Sequence, residues 1–347
     1  YCACTDLASG NSGAQRRDQR MNKDRFAEIT SHFSGKKILV IGDLMMDTYM
    51  WGTSDRISPE APVPVVHVTS VENNPGGAAN VALNLASLGA DTSVVGVVGD
   101  DTEGIVLKDL LTEKSIGTGG IVCDADRPTT VKARVIAQGN QVVRTDREVT
   151  WVLSDEIEKK VMDAVSSQIS ELDAVILQDY NKGFFGKDSL SKILDVLGKA
   201  KVPVYADPKK DNFFDFTNVR LFKPNLNEFE SALSAGYTSD QFESHGKELR
   251  KKLNADIVMV TRSEKGVSLF TEDGMQTIPT KARKVHDVSG AGDTVIAAFT
   301  LADVSDASLE EAAALANLAA GGVCEEVGVV PVTMDMLSDI YSHHNSD

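Results

Sequence analysis

Val285-His286-Asp287-Val288-Ser289-Gly290-Ala291-Gly292-Asp293-Thr294-Val295-Ile296-Ala297-Ala298-Phe299 is the stretch around which the chain is organised. A polar, glycine-spaced turn runs without a break into an apolar, proline-free segment, residues 295–301. The turn is therefore expected to cap the N-terminus of a buried helix. A helix start of this kind is an anion site. Its first-turn N–H groups lack intrahelical partners, its end carries a partial positive charge, and Gly290 and Gly292 have no Cβ to hold an oxyanion away. Asp293 is the odd residue there, because a carboxylate repels an anion unless it takes the proton from a hydroxyl that attacks phosphorus. Taken in isolation it is better read as a first-turn acid favoured by the helix dipole.

Working outward, short apolar runs recur, each followed by a polar turn and a helical pattern. Residues 36–43 end in Gly42-Asp43 and suit a central parallel strand. Val81, Leu85 and Leu88 keep one face of a helix opened by Gly76-Gly77 and ended by Gly89. Further strands are expected over 92–98, 174–178, 202–206, 219–222, 256–261 and 266–271. Helices are expected over 102–112, 226–233 and 239–253, and from Ser154, Lys187, Leu309 and Thr333. This alternation gives an α/β fold with one largely parallel sheet and helices on both faces. Two segments break the pattern. Residues 49–71, with Pro59, Pro62 and Pro64, and residues 129–147, with the turn Gly139-Asn140, alternate like short exposed strands.

Polar residues gather after the strands, at the edge where open α/β sheets bind ligands. They are Asp43 and Asp47, residues 179–183, Asp207-Pro208-Lys209, residues 225–228 and residues 261–266. So many acids, amides and lysines at one edge indicate a polyhydroxylated, phosphorylated ligand with a metal. No Gly-x-x-x-x-Gly-Lys-Ser/Thr and no strand-linked Gly-x-Gly-x-x-Gly occurs, which argues against a P-loop kinase and a dinucleotide oxidoreductase.

Composition narrows the partners. A formal charge of −16 over 347 residues opposes nucleic acid and anionic membranes. Four scattered cysteines make no disulfide framework, and no apolar run approaches the roughly 18 to 20 residues of a spanning helix, so cytosol is the simplest compartment. Residues 1–20 read as a disordered polar extension ahead of a start at Met21, residues 21–341 as one domain, and 342–347 as a tail.

Residues 287–294, Asp-Val-Ser-Gly-Ala-Gly-Asp-Thr, resemble the C-terminal signature of the ribokinase-like (PfkB) carbohydrate kinases, and Gly76-Gly77-Ala78-Ala79-Asn80 resembles their N-terminal one. Two motifs in this order and this far apart are much more specific than either alone. The resemblance implies a ribokinase-like fold in which 49–71 and 129–147 form a small β lid over the sugar and a homodimer contact. It implies ATP and Mg²⁺ as cofactors, with Asp287 and Ser289 near the place where some members hold K⁺. Asp293 matches the catalytic base, and Gly290, Ala291 and Gly292 the anion hole. Asp47, Gly76, Gly77 and Asn80 match sugar contacts, although the two glycines serve equally as a helix start. Asn225 and Glu228 match the Asn-x-x-Glu that positions Mg²⁺ through water. Lys209, Asn225, Thr261, Ser263, Gly266 and Asn317 fall at nucleotide positions.

The likeness extends to the branch that phosphorylates D-glycero-β-D-manno-heptose 7-phosphate at O1 for ADP-heptose and lipopolysaccharide core synthesis. It is carried by residues 42–47, 56–66, 74–82, 134–146, 179–183 and 207–209. For such a substrate Arg134, Arg144, Asp179 and Lys182 border the sugar phosphate, with a solvated lid face as the alternative for each cation. Other readings are a kinase of the same fold for another sugar, or a catalytically silent sugar-binding homologue. Two departures stand out: Asn181 occupies a place where relatives usually have Gly, and no His-x-Gly-His of a fused nucleotidylyltransferase follows Pro331.

Overall fold

The apolar run at 36–43 forms β1 (Lys37–Gly42), whose residues alternate between two cores: Ile38 and Val40 face one, Leu39 and Ile41 the other. The structure is a computed structural model that describes residues 21–233, 238–280, 288–326 and 328–344. β1 lies inside a nine-stranded sheet. Its order is β5 (Gly117–Asp124), β4 (Asp91–Gly99), β1, β8 (Ala174–Gln178), β9 (Val204–Asp207), β10 (Leu221–Phe222), β11 (Ile257–Thr261), β12 (Val267–Phe270) and β13 (Met275–Ile278). From β5 to β11 the strands are parallel; β12 and β13 close the edge antiparallel.

One face is covered by α1 (Lys23–Ser31), α2 (Ala78–Ser87), α3 (Thr102–Glu113), α8 (Ala291–Asp303), α9 (Leu309–Val323) and α10 (Met334–His344). The other is covered by α4 (Asp155–Gln168), α5 (Lys187–Ala200), α6 (Leu226–Ala232) and α7 (Phe242–Leu253). The expected buried helix is α8, enclosed from Asp293 to Ala302. It packs between α2 and α9, where Ala78, Ala79, Ala82, Ala312, Ala316 and Ala319 are buried. Small side chains let the backbones approach closely, and Phe299, fully buried, contributes roughly 1.5–3 kcal/mol of apolar burial.

A second sheet stands off the first. Its order is β3 (Pro64–Gly77), β2 (Leu44–Ile57), β6 (Thr130–Ala137) and β7 (Asn140–Arg147), with β2 and β6 parallel and the outer pairs antiparallel. These strands are longer than the segments expected at 49–71 and 129–147. β2 leaves the central sheet one residue after β1 ends, and its first half, residues 44–49, is buried against the body. Only the distal half has the exposed alternation legible in sequence. Register shifts fall between Trp51 and Gly52 and between Thr53 and Arg56, both in that distal half.

Gly76-Gly77 ends β3 and at the same time opens α2, which begins at Ala78 with Gly77 as its N-cap. Gly77 has φ +58° and ψ −130°, and a Cβ there would come within 2.6 Å of the Asp43 carbonyl oxygen. A Cβ at Gly76 would clash with Asp47 Oδ2. The pair is needed so that the lid strand can turn into the helix over two aspartates. β5 and β13 were not anticipated: three glycines thin the apolar signal of β5, and most of β13 is exposed. The segment 239–253 begins with a 3₁₀ turn, so α7 starts only at Phe242.

Gly77→Ala combines a left-handed backbone with a clash and is expected to cost at least about 1–3 kcal/mol. A lower urea midpoint with an unchanged slope would show it.

Candidate active site

Asp43, the single residue between β1 and β2, is buried, and its carboxylate accepts from the backbone N–H groups of Tyr180 (2.7 Å), Lys182 (3.1 Å) and Phe184 (3.2 Å). Its carbonyl accepts from Ala78 N at 3.0 Å, at the start of α2. Asp179 is also buried and takes donors from Asn181 N and Asn212 Nδ2. Asp179, expected to border the sugar phosphate, uses its carboxylate to shape the loop. Asn181 accepts the change from Gly because it sits at φ +54°, a left-handed conformation that Asn tolerates. Burial, reinforced by the charge of Asp179, pushes the Asp43 carboxyl up to about 6.

At the head of α8, Gly290 is the N-cap with φ +78°, and a Cβ on it would come within 2.9 Å of Asn80 Nδ2. One turn in, buried Asp293 is reached by three donors: Asn80 Nδ2 to Oδ2 at 2.8 Å, Gln178 Nε2 to Oδ1 at 3.1 Å, and the Tyr180 hydroxyl to Oδ1 at 2.7 Å. Burial raises its pKa to about 6 against the hydrogen bonds from Tyr180 and Asn80, with Asp207 adding to the rise and Lys223 opposing it. Asn84, one helical turn after Asn80, ties α2 to Thr294 (3.1 Å) and to Val332 N (3.0 Å). Two asparagines four apart in an otherwise apolar helix were the available signal for that brace.

Lys223 was missed. It is buried, pairs with Asp207 Oδ2 at 2.9 Å, and lies beside the head of α8, 3.7 Å from where a Cβ on Gly292 would be. Beside it, Asn225 caps α6 in a reciprocal box with Glu228, and the other Glu228 oxygen pairs with Lys209. Burial alone would lower the Lys209 pKa, but the charges of Asp207 and Glu228 raise it. Beyond them a cleft of about 550 Å³ brings together Asn225, Thr261, Ser263, Gly266, Asn317 and Gly292. In its wall Asn317 Nδ2 donates to the Ile278 carbonyl at 2.9 Å.

On the lid side Arg134 pairs with Asp47, both largely buried, and Lys182 Nζ donates to Glu148 at 2.8 Å. Lys132 is a further cation that sequence reasoning passed over. It lies opposite Asp47 in register and two residues before Arg134, hence on the same strand face, with its Nζ 5.2 Å from the centre of the Tyr180 ring. Burial and the charge of Lys182 lower its pKa. Arg144, although opposite Arg134 in register, is half exposed and held in a two-point pair by Asp146. The structure does not join Arg144 to the buried group. Asp287 lies outside the described residues, and with it half of the expected potassium position.

Residues 35–334 match the family described as pfkB family carbohydrate kinase. The chain belongs to that family. Among its curated relatives, a bifunctional protein HldE of Helicobacter pylori (strain J99) is 40% identical over 304 residues, which is 87% of this chain and 66% of that protein. The HldE of Syntrophotalea carbinolica is 36% identical over 326 residues, 93% of this chain and 66% of its own length. The chain thus spans just under two thirds of these relatives. The fold resembles phosphofructokinase-2 from Escherichia coli in complex with potassium (TM-score 0.76, 20% identity, 90% of this chain and 99% of that one). It also resembles Arabidopsis thaliana ribokinase complexed with ribose and ATP (TM-score 0.69, 20% identity, 88% and 99%). The fold is ribokinase-like, and this pfkB protein is a carbohydrate kinase. Among the described residues no helix is long and apolar enough to cross a membrane.

If Asp293 is the base, it must be unprotonated to act, so kcat/KM should fall as pH drops through about 6 rather than near the usual roughly 4 of an aspartate. The check is a profile from pH 5 to 8, corrected for ionisation of any phosphate on the sugar; a limb centred below pH 5 would rule this environment out.

Proposed function

We propose that this carbohydrate kinase uses ATP and Mg²⁺ to phosphorylate D-glycero-β-D-manno-heptose 7-phosphate at O1, giving the 1,7-bisphosphate used in ADP-heptose and lipopolysaccharide core synthesis. The observation that carries the reading is the cation group under the lid. Lys132 lies over the Tyr180 ring, whose hydroxyl touches Asp293; Lys182 is near enough for its charge to lower the Lys132 pKa, and Arg134, two residues along the same strand face, pairs with Asp47. A sugar with a reacting hydroxyl at one end and a phosphate at the other requires a base and a cation group at opposite ends of its pocket. Lys132 makes no ion pair among the described residues, which leaves its ammonium for that phosphate.

In the proposed reaction Asp293 takes the O1 proton, O1 attacks the γ-phosphorus in line, and the bond from that phosphorus to the bridging oxygen breaks to release ADP. The first-turn N–H groups at Gly290 to Gly292, with Lys223 beside them, meet the charge that develops on the transferred group. Thr261, Ser263, Gly266 and Asn317 line the cleft assigned to the nucleotide. No group of three His, Cys, Asp or Glu side chains able to hold a metal is found among the described residues, and both Glu228 oxygens already have protein donors. That donor set fits a hydrated Mg²⁺ brought in with the phosphates, its waters held by Glu228 and Asn225. When bound, the ion neutralises charge between the phosphates. Exposed Ile57, Val63, Val68 and Val71 on the lid support a homodimer through that surface.

ADP release with Mg·ATP should be much faster with the manno-heptose 7-phosphate than with sedoheptulose 7-phosphate, fructose 6-phosphate, ribose or adenosine. Preference for another sugar of the panel would discard the substrate and keep the fold. Lys132→Met should raise KM for the sugar phosphate about ten-fold or more with KM for ATP nearly unchanged, whereas Arg144→Ala should change neither appreciably. Equal effects of Lys132→Met on both substrates would remove Lys132 from the phosphate contact.

A further inference from the structure

Of the three donors on Asp293, that of Tyr180 differs in kind. Gln178 Nε2 is shared, at 3.1 Å, between Asp293 and Asp207, and Asn80 holds the other oxygen. The phenol gives Oδ1 its shortest hydrogen bond, at 2.7 Å. The loop that carries it is pinned on both sides of the ring by the Asp43 carboxylate. The ring also meets Lys132 Nζ from the lid at 5.2 Å and Lys209 Nζ from the nucleotide side at 5.4 Å.

A phenol in this place behaves unlike water or a sugar hydroxyl. Burial, then the negative charge of Asp293, push its pKa well above its ordinary value, so the carboxylate cannot take its proton. It donates a hydrogen bond without becoming a nucleophile. A water on the same oxygen would be activated. Its oxygen would attack the γ-phosphorus, the bond to the ADP oxygen would break, the water proton would pass to Asp293, and ADP and inorganic phosphate would leave.

We propose that Tyr180 is a positioning residue for phosphoryl transfer, its hydroxyl fixing Oδ1 of Asp293 and keeping water from that oxygen while the acceptor is absent. The inference rests on Asp293 being the base, as proposed above. The charged groups that face Asp293 besides the phenol are Asp207 from β9, Lys223 after β10, and Lys209.

The test is Tyr180→Phe in the full chain, with ADP release measured with and without saturating sugar phosphate. Sugar-independent release should rise about ten-fold relative to the coupled rate. The acid limb of kcat/KM should move up, because a hydrogen bond that lowers the Asp293 pKa is lost. An unchanged ratio with an unchanged limb would overturn the proposal. Should Tyr180→Phe not fold, 3-fluorotyrosine at position 180, a stronger donor, should move the limb down; no movement would count against the proposal. A wild-type protein that transfers phosphate to no sugar would instead remove the base assignment. Carboxyl-carbon NMR titration of Asp293, identified by its loss in Asp293→Asn, separates the two failures. Its midpoint rises in Tyr180→Phe if the phenol holds the carboxylate and stays if it does not, whatever the turnover.

Discussion

One buried carboxylate holds the parts of this molecule in place: that of Asp43. Through its side chain it gathers the loop after β8, through its carbonyl it starts α2, and its own N–H donates to Gln178 O at 3.2 Å. Burying an ionised carboxylate without partners is prohibitive, whereas hydrogen bonds to a charge contribute roughly 1.5–3 kcal/mol each. Three N–H groups offset most of that penalty and leave a carboxyl that still titrates high. The loop cannot relax without exposing the charge, so Tyr180 and Lys182 are delivered to the sheet edge at fixed positions.

The edge itself is a lattice of matched charges. Arg134 faces Asp47, Lys182 faces Glu148, Lys209 faces Glu228 and Lys223 faces Asp207. In a protein of net charge −16, local pairing is what lets anionic ligands approach at all. Buried pairs of this kind are close to neutral in stability, since desolvation offsets attraction. Their value lies elsewhere. On the proposed reading, a phosphate meets cations already desolvated and oriented, and it competes with a carboxylate for each of them rather than recruiting loose side chains from solvent.

The parallel sheet, the two helical layers and the glycine-rich head of α8 were legible because each rests on local rules: an apolar run, a cap, a helix period. The convergence of strand-end acids and lysines was legible for the same reason, since the ends of parallel strands share one edge. What sequence hid depends on contacts between distant segments. Arg144 read as a lid cation and Lys132 was passed over, and only pairing showed Arg144 bound to Asp146 and Lys132 turned onto Tyr180. The loop-shaping role of Asp179 requires Asn212, and Lys223 gains interest only once α8 is packed beside it. Gly76-Gly77 was legible as a helix start but not as a strand end, and the aspartates beneath the pair come from 30 or so residues earlier.

The direct passage from β1 into β2 has a mechanical consequence. A flap on a long linker would swing as a whole, but here the lid is a cantilever, rooted in the central sheet through the single residue Asp43 and in α2 through Gly77. Stiffness is greatest at the root, where residues 44–49 are clamped and Asp47 sits. The register breaks after Trp51 and Thr53 make the strand pliable only further out. On the proposed reading of this sheet as a lid, bending falls towards the tip, and Asp47 keeps the place that the clamped root gives it.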